Sequence, residues 1–594
     1  MATLRVWAPA AGRVDAALGA DRREMRLEGG GWWSVVAPDL GAGDDYSFAI
    51  DGGDGLPDPR SAWQPQGVLG PSRLVDHGSF AWHDDNWRGV PVAGRVLYEL
   101  HIGTFTPEGT FDAAALRLPD LVEFGIDVIE LMPVAAFDGD RGWGYDGVAL
   151  YAVHEPYGGP EGLKRFVDAA HRLGLGVALD VVYNHLGPSG NVLGRYGPYF
   201  TGEHQTPWGS AVNLDGPGSD EVRAFLIDNA LAWLRDYHVD GLRLDAVHAL
   251  ADDRATHVLE ELAIEVQSLG ARLGRAVFLI AEYDRNDPRL ITSREAGGYG
   301  LDAQWCDDVH HAIHATLTGE RQGYYCDFGS LATLGKALSG GFVHDGTYSA
   351  FRERGHGRPF DRSRVPGHRL VAYAQTHDQV GNRATGERIS SLIPVERLHI
   401  AAALVLTSAF TPMIFMGEEW GASTPWQYFA SFADPQLSRA VTEGRRAEFA
   451  DHGWDTTEVP DPVDPATAQR SILDWAEREA AEHAELLDWH RRLIRLRREM
   501  PDLADGRLDR VVCSYDEAAG WFVMRRGGLA VVVNLAPARQ PIPVGATPTG
   551  VLLASAGGFV YRDGEVEIDA DSVAIVAVAD RPVAGPHAES PPAS

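Results

Sequence analysis

The chain has 594 residues, 45% of them apolar, and carries 84 acidic against 52 basic side chains, a formal net charge of −32. Such an acidic surface repels nucleic acid and anionic membranes, which excludes both as partners and leaves a neutral polar substrate open. The length predicts several domains, with apolar residues enough for sizeable cores. No apolar run approaches the ~20 residues a membrane span needs, and the start MATLRVWAPAAGR lacks the apolar stretch of a secretion signal. The three cysteines, Cys306, Cys326 and Cys513, are odd in number, widely spaced and without a C-x-x-C. A reducing, cytoplasmic location is therefore expected.

Residues 1–88 read as short strands between Gly and Pro turns, among them 3-TLRVWAP-9, 32-WWSVVAP-38 and 45-DYSFAIDG-52, which predicts an N-terminal β-sandwich. From residue 89 to about 503 the texture changes. Apolar strand runs at 96–103, 127–134, 176–185, 241–246, 277–282, 303–308, 370–378 and 412–419 alternate with amphipathic helical stretches at 112–124, 161–173, 219–237 and 254–273. Eight strands with helical crossovers predict a (β/α)8 TIM barrel. Longer segments at about 186–218, after the third strand, and 320–368, after the sixth, read as insertions that build a binding site. The Arg-rich helix 484–500 reads as a solvated face packed on one side, and residues 504–580 as a C-terminal β-sandwich. The tail 581–594, rich in Pro, Ser and Ala, is expected to be disordered. The fold class is thus multidomain α/β: a barrel flanked by two sandwiches.

In such a barrel the strand C-termini carry the chemistry. Here they are polar: Asp180, Asn184 and His185 on the third strand, Arg243 and Asp245 on the fourth, Glu282 on the fifth, His377 and Asp378 on the seventh. Arg243 and Asp245 share one strand face, where a structural ion pair would explain one charged couple but not three converging carboxylates. Converging carboxylates serve metal-assisted hydrolysis or glycoside hydrolysis. Arg243 opposes a divalent cation and keeps Asp245 ionised, while apolar Leu279, Ile280 and Ala281 before Glu282 favour a protonated acid there.

The segments 180-DVVYNH-185, 241-GLRLDAVH-248, 278-FLIAEYD-284 and 376-THD-378 resemble the four signature regions of the α-amylase family of glycoside hydrolases. The resemblance implies Asp245 as nucleophile, Glu282 as general acid/base and Asp378 as the carboxylate that distorts the sugar and stabilises the transition state. It implies sugar contacts from Arg243, His185 and His377, and stacking by Tyr145 of 141-RGWGYDG-147. Trp143 and Asp308, at the expected mouth, complete the candidate binding set; Trp208, Trp305, Tyr324, Tyr325 and Trp426 lie in the same loops.

Longer runs, including 97-LYELHIGTFTPEGTFDAA-114, 301-LDAQWCDDVHHAIHATLTGE-320 and 416-MGEEWGASTPWQYF-429, resemble the maltooligosyltrehalose trehalohydrolase group within that family. That implies hydrolysis of the α-1,4 bond beside a terminal trehalose, an α-glucan substrate, and a maltooligosyltrehalose synthase as functional partner. Glycogen branching enzymes share the layout, but Tyr283 stands where they usually carry a second acid. A non-catalytic glucan-binding homologue is opposed by the presence of all three acids. No cofactor is expected. His310, His311 and His314 fit a helix start lining the pocket, plain structure or a metal site, and the position of Asn184 holds calcium in some α-amylases. Oligomeric state leaves no mark in the sequence.

Overall fold

The computed structural model describes residues 2–451, 459–562 and 564–579. The expected disordered tail, 581–594, lies outside the described residues. Eight parallel strands close into a barrel in strict chain order: β1 (Leu97–Leu100), β2 (Val128–Leu131), β3 (Gly176–Val181), β4 (Gly241–Leu244), β5 (Phe278–Ala281), β6 (Ala303–Trp305), β7 (Leu370–Ala372) and β8 (Thr411–Phe415). Every predicted strand run supplies its strand.

Alternation along the strands sorts side chains between bore and helices. Leu97, Val128, Ala178, Phe278, Ile280, Ala303, Val371 and Met413 pack together as an apolar plug in the bore. One step above, on the same strand faces, come Glu99, Glu130, Asp180 and Arg243, each at most 3% exposed. Leu242 and Leu244 face the helices instead. Gly241 is required by this plug: a Cβ there would lie 2.1 Å from the Phe278 ring.

Two predicted helices differ in extent. The run 112–124 forms two short helices, Phe111–Ala115 and Leu118–Phe124. Pro119 lacks an N–H and its ring would clash one turn back, so the helix restarts around it. The run predicted from 254 becomes helical only at Val258–Leu273, because the Asp252 carboxylate holds the preceding residues in a loop. It accepts from the Val258 N–H at 2.6 Å and pairs with the buried Arg223 at 2.6 Å.

The N-terminal strands form two antiparallel sheets, one around Ala2–Trp7 and Trp32–Ala37, the other around Val14–Leu18 and Asp45–Ile50. They reach the barrel through the insertion after β3: Trp7 packs edge-on against Tyr199 at 5.4 Å, and Tyr196 donates to the Pro57 carbonyl at 2.8 Å. The C-terminal region has a five-stranded and a three-stranded sheet. It is pinned to the barrel by Arg397 with Asp571 (2.9 Å) and by Arg526, which donates to the Thr407 carbonyl at 2.8 Å.

The helix Ala481–Glu499 is not solvated at every arginine. Arg497 is 3% exposed and donates to the carbonyls of Leu406 (3.0 Å), Ser408 (2.8 Å) and Phe410 (2.7 Å). It thereby satisfies the end of the helix Val395–Leu406 just before β8. Arg497→Leu, which orphans these carbonyls, should lower stability by about 3 kcal/mol, read as a lower urea midpoint with the catalytic rate at low temperature retained. An unchanged midpoint would show that the carbonyls find other donors.

Candidate active site

The site begins with Arg243, fully buried in the bore. Its guanidinium lies over the Trp305 ring at 4.2 Å, and Nη1 donates to Asp180 Oδ2 (2.9 Å) and to Asp245 Oδ1 (2.8 Å). The Nη2 edge is 3.9 Å from Glu282 Oε2. One cation therefore spans carboxylates from three consecutive strands. The second oxygen of Asp245 accepts from the Asn184 amide at 2.8 Å, and the Asn184 carbonyl pairs with His185 Nδ1. The Asn184 side chain is thus engaged in holding Asp245.

The backbone turns sharply after Asp245. Ala246 has φ 40°, a left-handed value that a non-glycine residue adopts only under constraint, and this aims its N–H at Glu282 Oε2. The strain joins the two acids through one peptide unit. Burial pushes the Glu282 carboxyl well above the usual carboxylate range, Arg243 opposes this, and Asp245 and Asp378 push further upward. With Oε2 accepting from the backbone, Oε1 is the oxygen left to carry a proton.

Asp378 opens the helix His377–Gly381, whose capping box uses Thr376 and Gln379. Burial pushes its carboxyl up, but the adjacent His377 charge and hydrogen bond outweigh this and leave it below the ordinary value. His377 Nε2 is 3.4 Å from Asp378 Oδ1 and 2.8 Å from the Tyr145 hydroxyl. That hydroxyl donates onward to Asp180 Oδ2 at 2.7 Å. Asp245, Glu282, Asp378, Arg243, His377, Tyr145 and Asp180 thus form one connected network at the strand C-termini.

His185 sits beside it: Nε2 contacts the Tyr145 carbonyl at 3.1 Å, and its ring lies under Trp208, 4.4 Å away and nearly parallel. Two expected binding residues stand back from the opening. Trp143 is 6% exposed; its indole N–H donates to the Gln427 carbonyl at 3.0 Å and its ring stacks on Trp426, so it packs behind His377. Asp308 is buried, and its Oδ2 accepts from Asn286 (2.8 Å) and from the backbone N–H of Val343 (2.7 Å) and His344 (3.0 Å). It fastens the insertion after β6 to the barrel. Its neighbour Asp307, bonded by the Tyr373 hydroxyl, faces the acids instead. Of the aromatics expected at the mouth, Trp208, 49% exposed, and Tyr324, 36% exposed, keep an open face.

Glu99, which sequence reading missed, holds His377 from β1: Oε2 accepts the His377 N–H at 3.0 Å and Oε1 pairs with Nδ1. A glutamate on a bore-facing position of an apolar strand was the available signal. The three clustered histidines go to separate partners: His310 to the Ala374 carbonyl (2.7 Å) and the Tyr325 hydroxyl (2.9 Å), His314 to Glu320 (2.7 Å). His311 packs its ring on Tyr324. Among the described residues, the group with metal-ligand spacing is His204, Asp215 and Asp253. His204 and Asp215 already form an ion pair at 3.1 Å.

Residues 78–195 match the model of the alpha amylase catalytic domain, and 506–575 match a domain of unknown function, DUF3459. The malto-oligosyltrehalose trehalohydrolase of Arthrobacter ramosus is 55% identical over 96% of this chain and 98% of its own. That of Mycobacterium tuberculosis is 52% identical over 98% of this chain and 100% of its own. The chain belongs to the malto-oligosyltrehalose trehalohydrolase family. A solved Salmonella typhimurium structure assigned as an alpha amylase superposes with a TM-score of 0.89 at 38% identity, covering 97% of both chains. A 1,4-alpha-glucan branching enzyme of Corynebacterium jeikeium is 32% identical over only 50% of this chain. The similarity to the trehalohydrolases therefore runs through both flanking sheet regions, whereas that to the branching enzyme covers half the molecule.

The protonated state of Glu282 is open to measurement. Infrared difference spectra of wild-type protein against Glu282→Gln at neutral pH should contain a protonated-carboxyl band that the variant lacks. A difference confined to the ionised-carboxylate region would contradict the buried-acid geometry.

Proposed function

We propose that this chain is a retaining glycoside hydrolase that cleaves the α-1,4 bond beside the terminal trehalose of maltooligosyltrehalose, releasing trehalose and a maltooligosaccharide. The observation that carries the chemistry is the buried Glu282 carboxyl bonded to the peptide N–H next to Asp245, with Arg243 hydrogen-bonded to Asp245 and 3.9 Å from Glu282. Whole-length similarity to trehalohydrolases supports the substrate class.

In the first step Asp245 attacks the anomeric carbon of the glucosyl unit before the trehalose, and the Glu282 proton passes to the departing glycosidic oxygen. Trehalose leaves, and the maltooligosyl group stays as an ester on Asp245. Glu282, now a carboxylate, takes a proton from water, which attacks the same carbon from the face that trehalose left. Two inversions retain the α configuration, a route that suits carboxyls about 5–5.5 Å apart. Asp378, ionised beside His377, stabilises positive charge developing on the ring. Tyr145 and His185 contact the sugar being cleaved, and Trp208 and Tyr324 offer faces to neighbouring units. The substrate is supplied by an enzyme that converts the reducing end of an α-glucan into a trehalose unit, a maltooligosyltrehalose synthase.

Incubation with maltopentaosyl-trehalose should yield free trehalose, and incubation with amylose should create no α-1,6 branches; branches without trehalose would replace this reading with a transferase. Asp245→Asn and Glu282→Gln should each lower kcat by about 10⁴-fold with native circular dichroism. The pH profile of kcat/KM follows from the two shifts. Asp378 is needed ionised, so activity falls as pH drops through its lowered pKa. Glu282 is needed protonated, so activity falls as pH rises through its raised pKa. A narrow optimum bounded by ordinary carboxylate values on both sides would contradict the assignment.

A further inference from the structure

We propose that Glu99 is a positioning residue, one that holds His377 as a doubly protonated imidazolium and through it keeps Asp378 ionised and correctly placed. The inference deepens the reading above and rests on it. It follows from counting donors and acceptors around one ring. Glu99 is 1% exposed and grips His377 twice, at the backbone N–H and at Nδ1. A carboxylate only accepts, so Nδ1 carries a hydrogen. At Nε2 the two neighbours are Asp378 Oδ1 and the Tyr145 hydroxyl. Burial pushes the Asp180 carboxyl up to about 7 against the opposing Arg243; in its ionised form it takes the single Tyr145 proton, so both neighbours of Nε2 then act as acceptors and Nε2 carries a hydrogen as well.

The surroundings permit this charge. Tyr145 stacks on the ring at 5.3 Å, Trp143 meets it edge-on at 5.5 Å and Trp305 lies tilted at 6.0 Å, so the imidazole cannot turn. The titratable groups acting on His377 from the packed elements are Glu99 on β1, Glu130 on β2, Asp180 on β3, His101 after β1, Tyr145 after β2 and Asp378 on its own helix. His101 is held well below the ordinary imidazole range by burial and stays neutral. Glu130, the cross-strand neighbour of Glu99, is pushed well above the carboxylate range by burial and by Glu99 itself, and stays neutral too. Glu99 therefore faces the His377 ring from below, with Asp378 on its other side.

Glu99→Gln preserves shape and removes the charge. His377 then becomes neutral, Nε2 loses its hydrogen, and Asp378 loses its donor. The variant should lower kcat by about 100-fold with a small change in KM, and should move the acid limb of the kcat/KM profile up by about one pH unit. Glu99→Asp, which keeps the charge, should recover part of the rate. The decisive measurement is a double-mutant cycle. If Glu99 acts through His377, Glu99→Gln/His377→Ala should turn over within about threefold of His377→Ala alone. Multiplying losses, or a Glu99→Gln acid limb superposable on the wild type, would overturn the proposal. Folding of the variants does not limit the test. Heteronuclear NMR of histidine-labelled wild-type protein, with His377 assigned by its loss in His377→Ala, should find both ring nitrogens protonated at neutral pH; one bare nitrogen would also overturn it. A wild-type enzyme that released no trehalose would fail the substrate reading instead, and the cycle would then be run on the α-glucan it does cleave.

Discussion

Arg243, buried without solvent contact in the barrel bore, is the constraint around which the site is organised. A guanidinium removed from water is costly unless its charge is met. The bore meets the charge with Asp180 and Asp245, both hydrogen-bonded by Nη1, with the more distant Glu282, and with the Trp305 face below. Because these partners come from strands β3, β4, β5 and β6, satisfying one cation fixes four strand ends relative to one another. The acids are spaced as a consequence of folding the barrel, before any sugar enters.

The same arrangement gives two carboxyls different surroundings. Asp245 has both oxygens occupied by donors from charged or amide groups. Glu282 has one oxygen on a backbone N–H and lies among carboxylates in a buried position, which favours its neutral form. Two copies of the same functional group thereby sit in different surroundings. The Glu99–His377–Asp378 chain lies on the opposite side of the site, with the His377 ring between two carboxyl groups. Asp245 and Asp378 are each flanked by a buried partner, Arg243 and His377.

Much of this was legible in the residues. Apolar strand runs marked all eight barrel strands, and polar residues at their C-termini put forward Asp245, Glu282 and Asp378. What the sequence misled on is instructive. Asp308 and Asp307 are adjacent, and only the start of the helix at Asp307 decides that one carboxylate faces the acids while the other fastens the insertion loop. Trp143 lies next to a site loop in the chain, yet packs behind His377 because Trp426, nearly three hundred residues away, supplies the surface it stacks on. Glu99 looked like one charge in a strand, and its partner His377 is 278 residues distant.

The sequence by itself determined the barrel and its flanking sheets and put forward the three carboxylates, because apolar strand runs and the order of polar strand ends are local properties of the chain. Only the tertiary structure decided which polar groups touch. The proton on Glu282, the charge on His377 and the closing of Asp308 away from the opening each depend on the burial and the distant neighbours that barrel closure brings together. Proton affinity in a dry bore is set by those neighbours, and no stretch of sequence contains them.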